Sequence, residues 1–333
     1  MKKIKYFSLI LIFSLILLNC KKPKQPVITD GVYLAGAKDD NFNLIPTIWQ
    51  SGTATELANA GNESTARSIV VNGTDLFTVG DWENTSLVYN IAAIWKNGAK
   101  TNLTDGSKRA NAYSVFVNGS DVYVAGFESN GSTDVAKVWK NGVATNLSNG
   151  SNSAEARGVF VVGADVYAAG FESGDAILWK NGVKTILSTG SGSTAWGYSL
   201  FVSGADVYVA GIQYPSFGAN LVAKLWKNGV VTNLSDGTDR AEATSVYVHG
   251  ADVYVGGQDS TYAVVWKNGV ETKLNNGASS AFVNSVFVTA GGDVFAAGFE
   301  IIGGKQRGRV WKNGAVYFTE DGESNFSAVF VKE

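Results

Sequence analysis

The stretch Trp139-Lys140-Asn141-Gly142 recurs along the chain at nearly constant spacing, and this repeat predicts the fold. The tryptophans of successive copies are 46, 44, 40, 47, 40 and 45 residues apart, at Trp49, Trp95, Trp139, Trp179, Trp226, Trp266 and Trp311. Six copies keep the Asn-Gly dipeptide, and the first reads Trp49-Gln50-Ser51-Gly52. A period of about 40–47 residues is typical of a β-propeller blade, which contains four strands.

One copy of the repeat shows four strand-like segments, rich in β-branched and aromatic residues, at 114–117, 121–126, 136–139 and 143–147. The third and fourth segments are joined by Asn-Gly, which favours a type I′ hairpin because both residues tolerate positive φ. The longest regular connection follows the fourth segment. Because the longest link of a propeller runs from the outer edge of one blade to the centre of the next, we expect the first segment to be innermost.

The two ends of the repeat region are complementary. The first copy begins directly at a second strand, 32–36, whereas the chain ends with one additional first strand, 327–331. A ring closed by strand sharing would use both, and it would leave no open sheet edge. The sequence therefore predicts an all-β protein: a seven-bladed β-propeller of four-stranded blades over residues 31–333, with the C-terminal strand joining the N-terminal blade.

The repeat lacks the Gly-His and Trp-Asp pairs of WD40 repeats and the double glycine of kelch repeats. Its run of an apolar residue, Trp, two variable residues and Gly, as at 138–142, is followed by Leu, then Ala, then a strand that ends in Gly. In this order of residues the chain resembles bacterial extracellular repeats of the HAF type. The resemblance implies export and a repeat fold, and it brings no known chemistry.

The N-terminus reads as a targeting segment. Residues 1–19 begin with three lysines and continue into an apolar run, 6–18, that is too short for a membrane-spanning helix, which needs about 20 residues. The run ends at Leu17-Leu18-Asn19-Cys20, which resembles the lipobox of bacterial lipoproteins. The resemblance implies cleavage before Cys20 and its lipidation, and residues 20–30 then form a flexible tether. The alternative is an ordinary secretory signal with a chance cysteine.

Composition limits the classes of partner. Cys20 is the only cysteine of the chain, so no intramolecular disulfide can form. Removing residues 1–19 leaves 24 of the 27 basic residues against 29 acidic ones, a formal net charge of −5. This balance, and the lack of a basic stripe with interleaved aromatics, argues against nucleic-acid binding. We expect no cofactor, no metal, and a monomeric body.

Alternating strand directions predict that the Asn-Gly hairpins share one face of the ring, here the hairpin face. The second-to-third loops and the inter-blade links share the other, the variable-loop face, because these connections differ in length between blades. Variable loops on a rigid scaffold commonly carry function. Candidate ligand contacts on this face are Trp82, Glu83, Tyr89, Arg109, Trp196, Tyr214, Phe217, Arg240, Tyr262 and Arg307, and Arg157 is a further link residue.

Aromatic side chains beside carboxylates and arginines suit sugar rings or peptide segments. The alternative is that most of these candidates are blade packing or solvated rim. The seven repeated tryptophans are interpreted as core, whereas Trp82 and Trp196 lie outside the repeat position. Glutamates that follow the second strand, at Glu128, Glu172 and Glu300, recur too regularly to be a unique catalytic acid.

Enzyme signatures are sparse. His249 is the only histidine, which excludes a histidine-based triad or a cluster of histidine metal ligands. We therefore expect a lipid-anchored propeller of the bacterial cell envelope, with the outer membrane favoured, that binds a protein or glycan without catalysis. The alternative is a propeller hydrolase or lyase that acts on polysaccharide or peptide, since two carboxylates suffice for glycoside hydrolysis.

Overall fold

The computed structural model describes residues 31–40, 43–57, 64–83, 89–188, 194–216 and 218–333. These residues form 28 strands in seven antiparallel sheets of four strands each, and no helix occurs among them. Each inner strand contacts the inner strands of the two neighbouring sheets, so the sheets follow one another around a ring. The predicted seven-bladed β-propeller is confirmed. Within the same ranges, no helix is long and apolar enough to cross a membrane.

Every blade uses its four strand positions in the same order. The inner strands are β4 (Thr65–Asn72), β8 (Ala110–Asn118), β12 (Ala154–Val162), β16 (Thr194–Ser203), β20 (Ala241–His249), β24 (Ala281–Val288) and β28 (Ser324–Lys332). The second strands are β1 (Gly31–Asp40), β5 (Asp75–Glu83), β9 (Asp121–Ser129), β13 (Asp165–Glu172), β17 (Asp206–Tyr214), β21 (Asp252–Asp259) and β25 (Val294–Ile302). The third strands are β2 (Asn43–Gln50), β6 (Asn90–Lys96), β10 (Asp134–Lys140), β14 (Asp175–Lys180), β18 (Val222–Lys227), β22 (Tyr262–Lys267) and β26 (Lys305–Lys312). The outer strands are β3 (Thr53–Glu56), β7 (Ala99–Asn102), β11 (Val143–Asn146), β15 (Val183–Ile186), β19 (Val230–Asn233), β23 (Val270–Lys273) and β27 (Ala315–Thr319).

The repeated Lys-Asn-Gly forms a clasp on the hairpin face. Asn141 and Gly142 both have positive φ, 50° and 82°, as a type I′ turn requires. Asn141 donates to Asp121 at 2.8 Å and accepts from the Val122 amide at 2.8 Å, while Lys140 pairs with the same aspartate at 2.7 Å. Six blades repeat the Lys-Asp pair and the Asn bonds, so the motif fixes the turn to the start of the second strand.

Every inner strand contains a β-bulge, and the bulge lies opposite the repeated glycine of the second strand. In β12 the register passes from Ala156 to Gly158, so that Arg157 has no partner in β13. The glycine opposite is Gly170, where a Cβ atom would lie 1.8 Å from the Glu155 carbonyl oxygen. Only glycine permits this approach, and the repeated glycine therefore exists to accommodate the bulge.

Blade interfaces are packed by repeated side chains. The seven tryptophans are at most 1% exposed, which confirms their interpretation as core. Neighbouring inner strands are also joined by a serine: Ser114 accepts a hydrogen bond from the Val159 amide at 3.3 Å, and Ser245 accepts one from Val286 at 3.0 Å. These bonds hold the inner strands together around the axis.

The ring closes as the sequence predicts, with β28 pairing antiparallel to β1. At this seam the usual small residue of the inner strand is replaced by Phe326, which is fully buried and lies edge-on to Trp49 at 4.8 Å between centroids. The neighbouring third strand has Gly308, where a Cβ atom would come within 2.7 Å of the Phe326 ring. Other blades place alanines at both positions, for example Ala92 and Ala112. A large residue and a missing side chain are therefore matched at the seam.

Candidate functional site

The seven bulge residues of the inner strands meet at the ring axis. We call them the axial ring: Arg67, Tyr113, Arg157, Tyr198, Thr244, Asn284 and Ser327. All seven line one cavity of about 440 Å³, the axial cavity, together with Thr65, Glu242, Phe282 and Asn325. This volume falls in the range of about 300–1,000 Å³ that is usual for small-molecule sites. Inner strands begin on the variable-loop face, so the cavity belongs to that face.

One half of the axial ring alternates arginine and tyrosine. The Arg67 guanidinium lies 5.3 Å from the centroid of the Tyr113 ring, and the Arg157 guanidinium lies 5.0 Å from the centroid of the same ring. Arg157 also lies 5.3 Å from the Tyr198 centroid. These distances are within cation–π range, so each guanidinium is held against aromatic surface. The wall is consequently ordered before any ligand arrives.

Each cavity arginine has a carboxylate of its own. Arg67 donates through Nε to Asp81 at 2.5 Å, and Asp81 is 2% exposed at its side chain. Arg157 donates to Glu155 through Nε at 3.1 Å and through a terminal nitrogen at 2.9 Å. The cavity's Glu242 is paired with Arg240 in the same way. Buried charges need such partners, and the three pairs leave the charges of this site balanced.

The two tyrosines stay protonated at neutral pH. Burial, assisted by the negative charge of Glu155, raises the pKa of Tyr113 to about 12. Burial and the charge of Glu242 also raise the pKa of Tyr198. A phenol that keeps its proton offers one O–H donor and two acceptor lone pairs. Both residues therefore suit hydrogen bonding, whereas a tyrosine that acts as a base needs a lowered pKa.

The other half of the axial ring is small and polar. Asn284 donates through Nδ2 to the Asn325 side chain at 2.8 Å and to the Phe326 carbonyl at 2.8 Å. This leaves the Asn284 Oδ1 as an acceptor and the Asn325 amide nitrogen as a donor. Thr244 donates to the Val283 carbonyl at 2.6 Å. Asn284 and Asn325 thus place an acceptor and a donor opposite the arginine–tyrosine wall.

On the hairpin side of the axial cavity, aromatic rings form a belt around the axis. We call it the aromatic girdle: Phe116, Phe160, Phe201, Tyr247, Phe287 and Phe330. Neighbouring rings of the girdle are 4.5–5.2 Å apart between centroids. Blade after blade supplies an aromatic residue at this position, with Val70 in the seventh. The girdle is therefore a packing feature that six blades share.

Four residues singled out from the sequence lie beside the axial cavity or line it. Trp196 is 6.3 Å from Tyr198 and 5.4 Å from Phe171 between centroids. Tyr214 and Arg240 lie close enough to Tyr198 to influence its pKa electrostatically. Arg157, noted as a link residue, is the bulge residue of β12 and lines the cavity.

Other predicted residues lie away from the axial cavity. Trp82 donates to Asn102 of the outer strand at 3.1 Å, and Lys100 of the same strand lies 3.1 Å above its ring. The amide of the neighbouring Glu83 donates to Ser64 at 3.2 Å. Tyr89 is 44% exposed. These contacts place Trp82 against the outer edge of its blade rather than at the axis.

The remaining predicted contacts are dispersed around the ring. Arg109 pairs with Asp134, and Arg307 donates to the Asp321 carbonyl at 2.6 Å. Tyr262 lines a separate groove with Asp236, Asp239, Asp259 and Glu271, and Lys273 lies 3.9 Å from its ring centroid. Phe217 and Cys20 lie outside the described residues.

The recurring glutamates lie in separate blades, whereas in the groove around Tyr262 burial and a hydrogen bond with Asp259 raise the pKa of Glu271. Glu128 pairs with Lys137 at 2.8 Å, and Glu172 pairs with Lys184 at 3.0 Å, each within its own blade. Asp236 accepts from the Thr238 amide and hydroxyl in a local turn. In the part of the chain that the structure describes, no three His, Cys, Asp or Glu side chains group so as to hold a metal ion.

Sequence reasoning missed Arg67, Tyr113, Tyr198 and Asn284. A usable signal was present, because these residues occupy one alignment column of the inner strand, directly before the repeated serine position. That column holds Arg, Tyr, Arg, Tyr, Thr, Asn and Ser, whereas the next column holds Ser in five copies, with Gly158 and Ala328 as the exceptions. A variable column next to a nearly constant serine column is therefore the sequence feature that these cavity residues share.

Comparison with solved structures supports the fold. The chain is similar to a structure from a study of two prolyl endopeptidases, with 11% identity and a TM-score of 0.51, over 92% of this chain and 50% of that one. It is also similar to TolB from Acinetobacter baumannii, with 11% identity and a TM-score of 0.47, over 72% of this chain and 62% of that one. This chain thus spans about half the length of the endopeptidase and under two thirds of TolB. At this identity the endopeptidase likeness shows the propeller fold alone.

No protein-family model matches the chain, and no curated protein matches it.

Proposed function

We propose that this protein is a non-catalytic binding module of the bacterial cell envelope that holds its ligand in the axial cavity. The observation that carries the proposal is the axial ring itself. Seven blades with the same strand order meet the same packing requirements, yet their seven bulge residues are of five types and all line one cavity. A position that the fold leaves variable, on a rigid scaffold, is suited to ligand contact.

The charges around the cavity support binding rather than hydrolysis. Asp81, Glu155 and Glu242 each contact an arginine. A catalytic acid or base must reach the substrate, whereas each of these carboxylates already has a guanidinium partner. The hydrolase or lyase alternative would need one of these pairs to open.

The proposed anchor fits the orientation of the ring. The lipobox-like 17–20 predicts lipidation of Cys20, and residues 20–30 would link it to β1. Gly31 pairs with Lys332, at the end of β28 that reaches the hairpin face. The tether therefore joins the ring on the hairpin face, and the axial cavity opens on the opposite face. We propose an outer-membrane lipoprotein whose cavity points away from its own anchor.

The test of the proposed function is a binding screen with the full-length protein, purified in detergent, on immobilised glycans and proteins. Arg157→Gln should lower the affinity for the ligand found about tenfold or more, because a charge-assisted contact is lost. Lys180→Gln, on the hairpin face, is the matched control and should bind normally. The reverse pattern would refute the proposed site.

Two further measurements test the location. Labelled palmitate should enter the wild-type protein and not Cys20→Ser. Protease treatment of intact cells, with a periplasmic protein as the integrity control, distinguishes an exposed propeller from one that faces the periplasm.

A further inference from the structure

The axial cavity also carries information about the class of its ligand, and this inference rests on the proposed binding function. We infer that the axial cavity binds an uncharged saccharide, of one or a few sugar units, rather than an anion or a peptide. Three features of the cavity wall support this: its charge balance, its mixed donors and acceptors, and its aromatic surface.

Charge balance disfavours an ionic ligand. The cavity arginines Arg67 and Arg157 already contact Asp81 and Glu155, and Glu242 already contacts Arg240. An anionic ligand would compete with built-in carboxylates for the guanidinium groups, and a cationic ligand would compete with arginines. A neutral ligand keeps all three pairs, so it avoids leaving a charge unpaired in a partly buried site.

Donors and acceptors are interleaved around the cavity, as sugar hydroxyls require. A hydroxyl donates one hydrogen bond and accepts others. The protonated phenols of Tyr113 and Tyr198 can do both, and their raised pKa values keep them in that form. Across the cavity, Asn284 retains an acceptor and Asn325 retains a donor after their mutual bond. Arg157 uses Nε and one terminal nitrogen for Glu155, and its other terminal nitrogen remains as a donor.

Aromatic surface is available for the C–H face of a sugar ring. Phe282 lines the cavity and is stacked on Phe299 at 5.9 Å with parallel planes, so it is held in place from one side. On the arginine–tyrosine side, Trp196 lies next to the cavity residue Tyr198, at 6.3 Å between ring centroids. A peptide would instead be recognised by an edge strand or an elongated groove. Each inner strand is the end strand of its sheet, but the inner strands stand side by side around the axis and are joined by serine–amide hydrogen bonds such as Ser114 to Val159 at 3.3 Å, so they leave no room to add an extended strand.

The inference is tested by titrating the full-length protein in detergent with neutral oligosaccharides, the matched uronic-acid oligosaccharides, and short peptides. Calorimetry is the main readout, and intrinsic fluorescence, to which Trp196 is one of nine contributing tryptophans, is the second. We expect binding of a neutral oligosaccharide, with less than about twofold change in affinity between about 0.05 and 0.5 M NaCl, because no net charge is neutralised. Tyr198→Phe, which removes one hydroxyl, should weaken binding about five- to tenfold.

The matched control is Tyr208→Phe in the same blade, whose hydroxyl contacts Asp206 at 3.3 Å near the hairpin face. It should bind as the wild type does. Binding of only the acidic sugars or the peptides, weakened by Tyr198→Phe, would overturn the saccharide inference and leave the proposed function standing. Absence of binding to every saccharide would also overturn it. Binding that neither Tyr198→Phe nor Arg157→Gln affects would overturn the proposed site itself.

Discussion

The two ends of the axial channel are built by the same seven strands and differ in one respect. Toward the hairpin face, the aromatic girdle repeats one residue type, and the rings pack against one another at 4.5–5.2 Å. Toward the variable-loop face, the axial ring differs from blade to blade, from Arg67 to Ser327. Since the strands are equivalent, the packing requirement explains the first end and not the second. Residues that repeat from blade to blade thus serve the scaffold, whereas residues that depart from the repeat serve either a special packing contact or a binding site.

The seam shows that a departure can also be structural, and it provides the largest predicted effect. Phe326→Ala should lower the free energy of unfolding by about 3–5 kcal/mol, because a fully buried aromatic ring is removed at the ring closure. Urea unfolding followed by circular dichroism measures this. The double variant Phe326→Ala with Gly308→Ala recreates the alanine pair of other blades and should recover part of the loss. If the double variant is less stable than Phe326→Ala alone, then the packing of Phe326 against Gly308 does not explain why the seam differs from the other blades.

The bulges are the next test, because they turn the axial ring toward the cavity. Gly170→Ala should cost about 3 kcal/mol of unfolding free energy, since its Cβ would lie 1.8 Å from the Glu155 carbonyl oxygen. Gly142→Ala in the hairpin is the matched control, with open space around the Cβ and φ of 82°. It should cost only about 1–2 kcal/mol, from the backbone conformation alone. Equal losses in the two variants would count against a steric role for the bulge glycine.

Variants of the aromatic girdle and of the axial ring should affect different quantities: the first the free energy of unfolding, the second the affinity for the ligand. Phe160→Ala removes two ring contacts, at 4.5 and 4.9 Å, and should cost about 2 kcal/mol because the side chain is only half buried. Affinity for the ligand should be nearly unchanged in this variant. Tyr198→Phe should do the opposite, with a stability change within about 1 kcal/mol and a clear loss of affinity. Should both variants change both quantities alike, the proposed division between the two ends would fail.

The hairpin clasps give the smallest effect, and it depends on pH. Hydrogen bonds from Lys180 and Asn181 lower the pKa of Asp165 below its usual 3.8. A lowered folded pKa adds stability above the unfolded pKa, and this stability is lost as the pH falls through the folded value. Asp165→Asn should therefore slightly lower the urea midpoint at pH 7, and the difference from wild type should vanish as the pH falls below the lowered pKa of Asp165. A difference that persists unchanged at low pH would contradict this assignment.

Much of the scaffold could be predicted because it depends on local chemistry that repeats. Asn141 and Gly142 indicate the hairpin through their tolerance of positive φ, and the structure has both there. The first copy, which lacks an inner strand, and the last strand, β28, predicted the closure that the sheet pairing confirms. Trp196, Tyr214 and Arg240 were found near the axial cavity because they depart from the repeat or carry charge in a link.

Arg67, Tyr113 and Tyr198 could not be placed by strand periodicity. Alternation in a regular strand assigns successive residues to opposite faces, but a bulge adds one residue and shifts that assignment. In β12 the shift falls at Arg157, between Ala156 and Gly158. Trp82 also departs from the repeat, and the structure places it against Lys100 and Asn102 at the outer edge of its blade.

The sequence alone determined the seven blades, their strand order, the hairpin turns and the closure of the ring, because a repeat reports every local requirement several times. Only the tertiary structure decided which residues share the axis. The stacking of the Arg67 and Arg157 guanidinium groups on Tyr113 and Tyr198 joins inner strands of neighbouring blades, 41–46 residues apart along the chain. Such contacts depend on the closed ring, and no spacing along the chain encodes them.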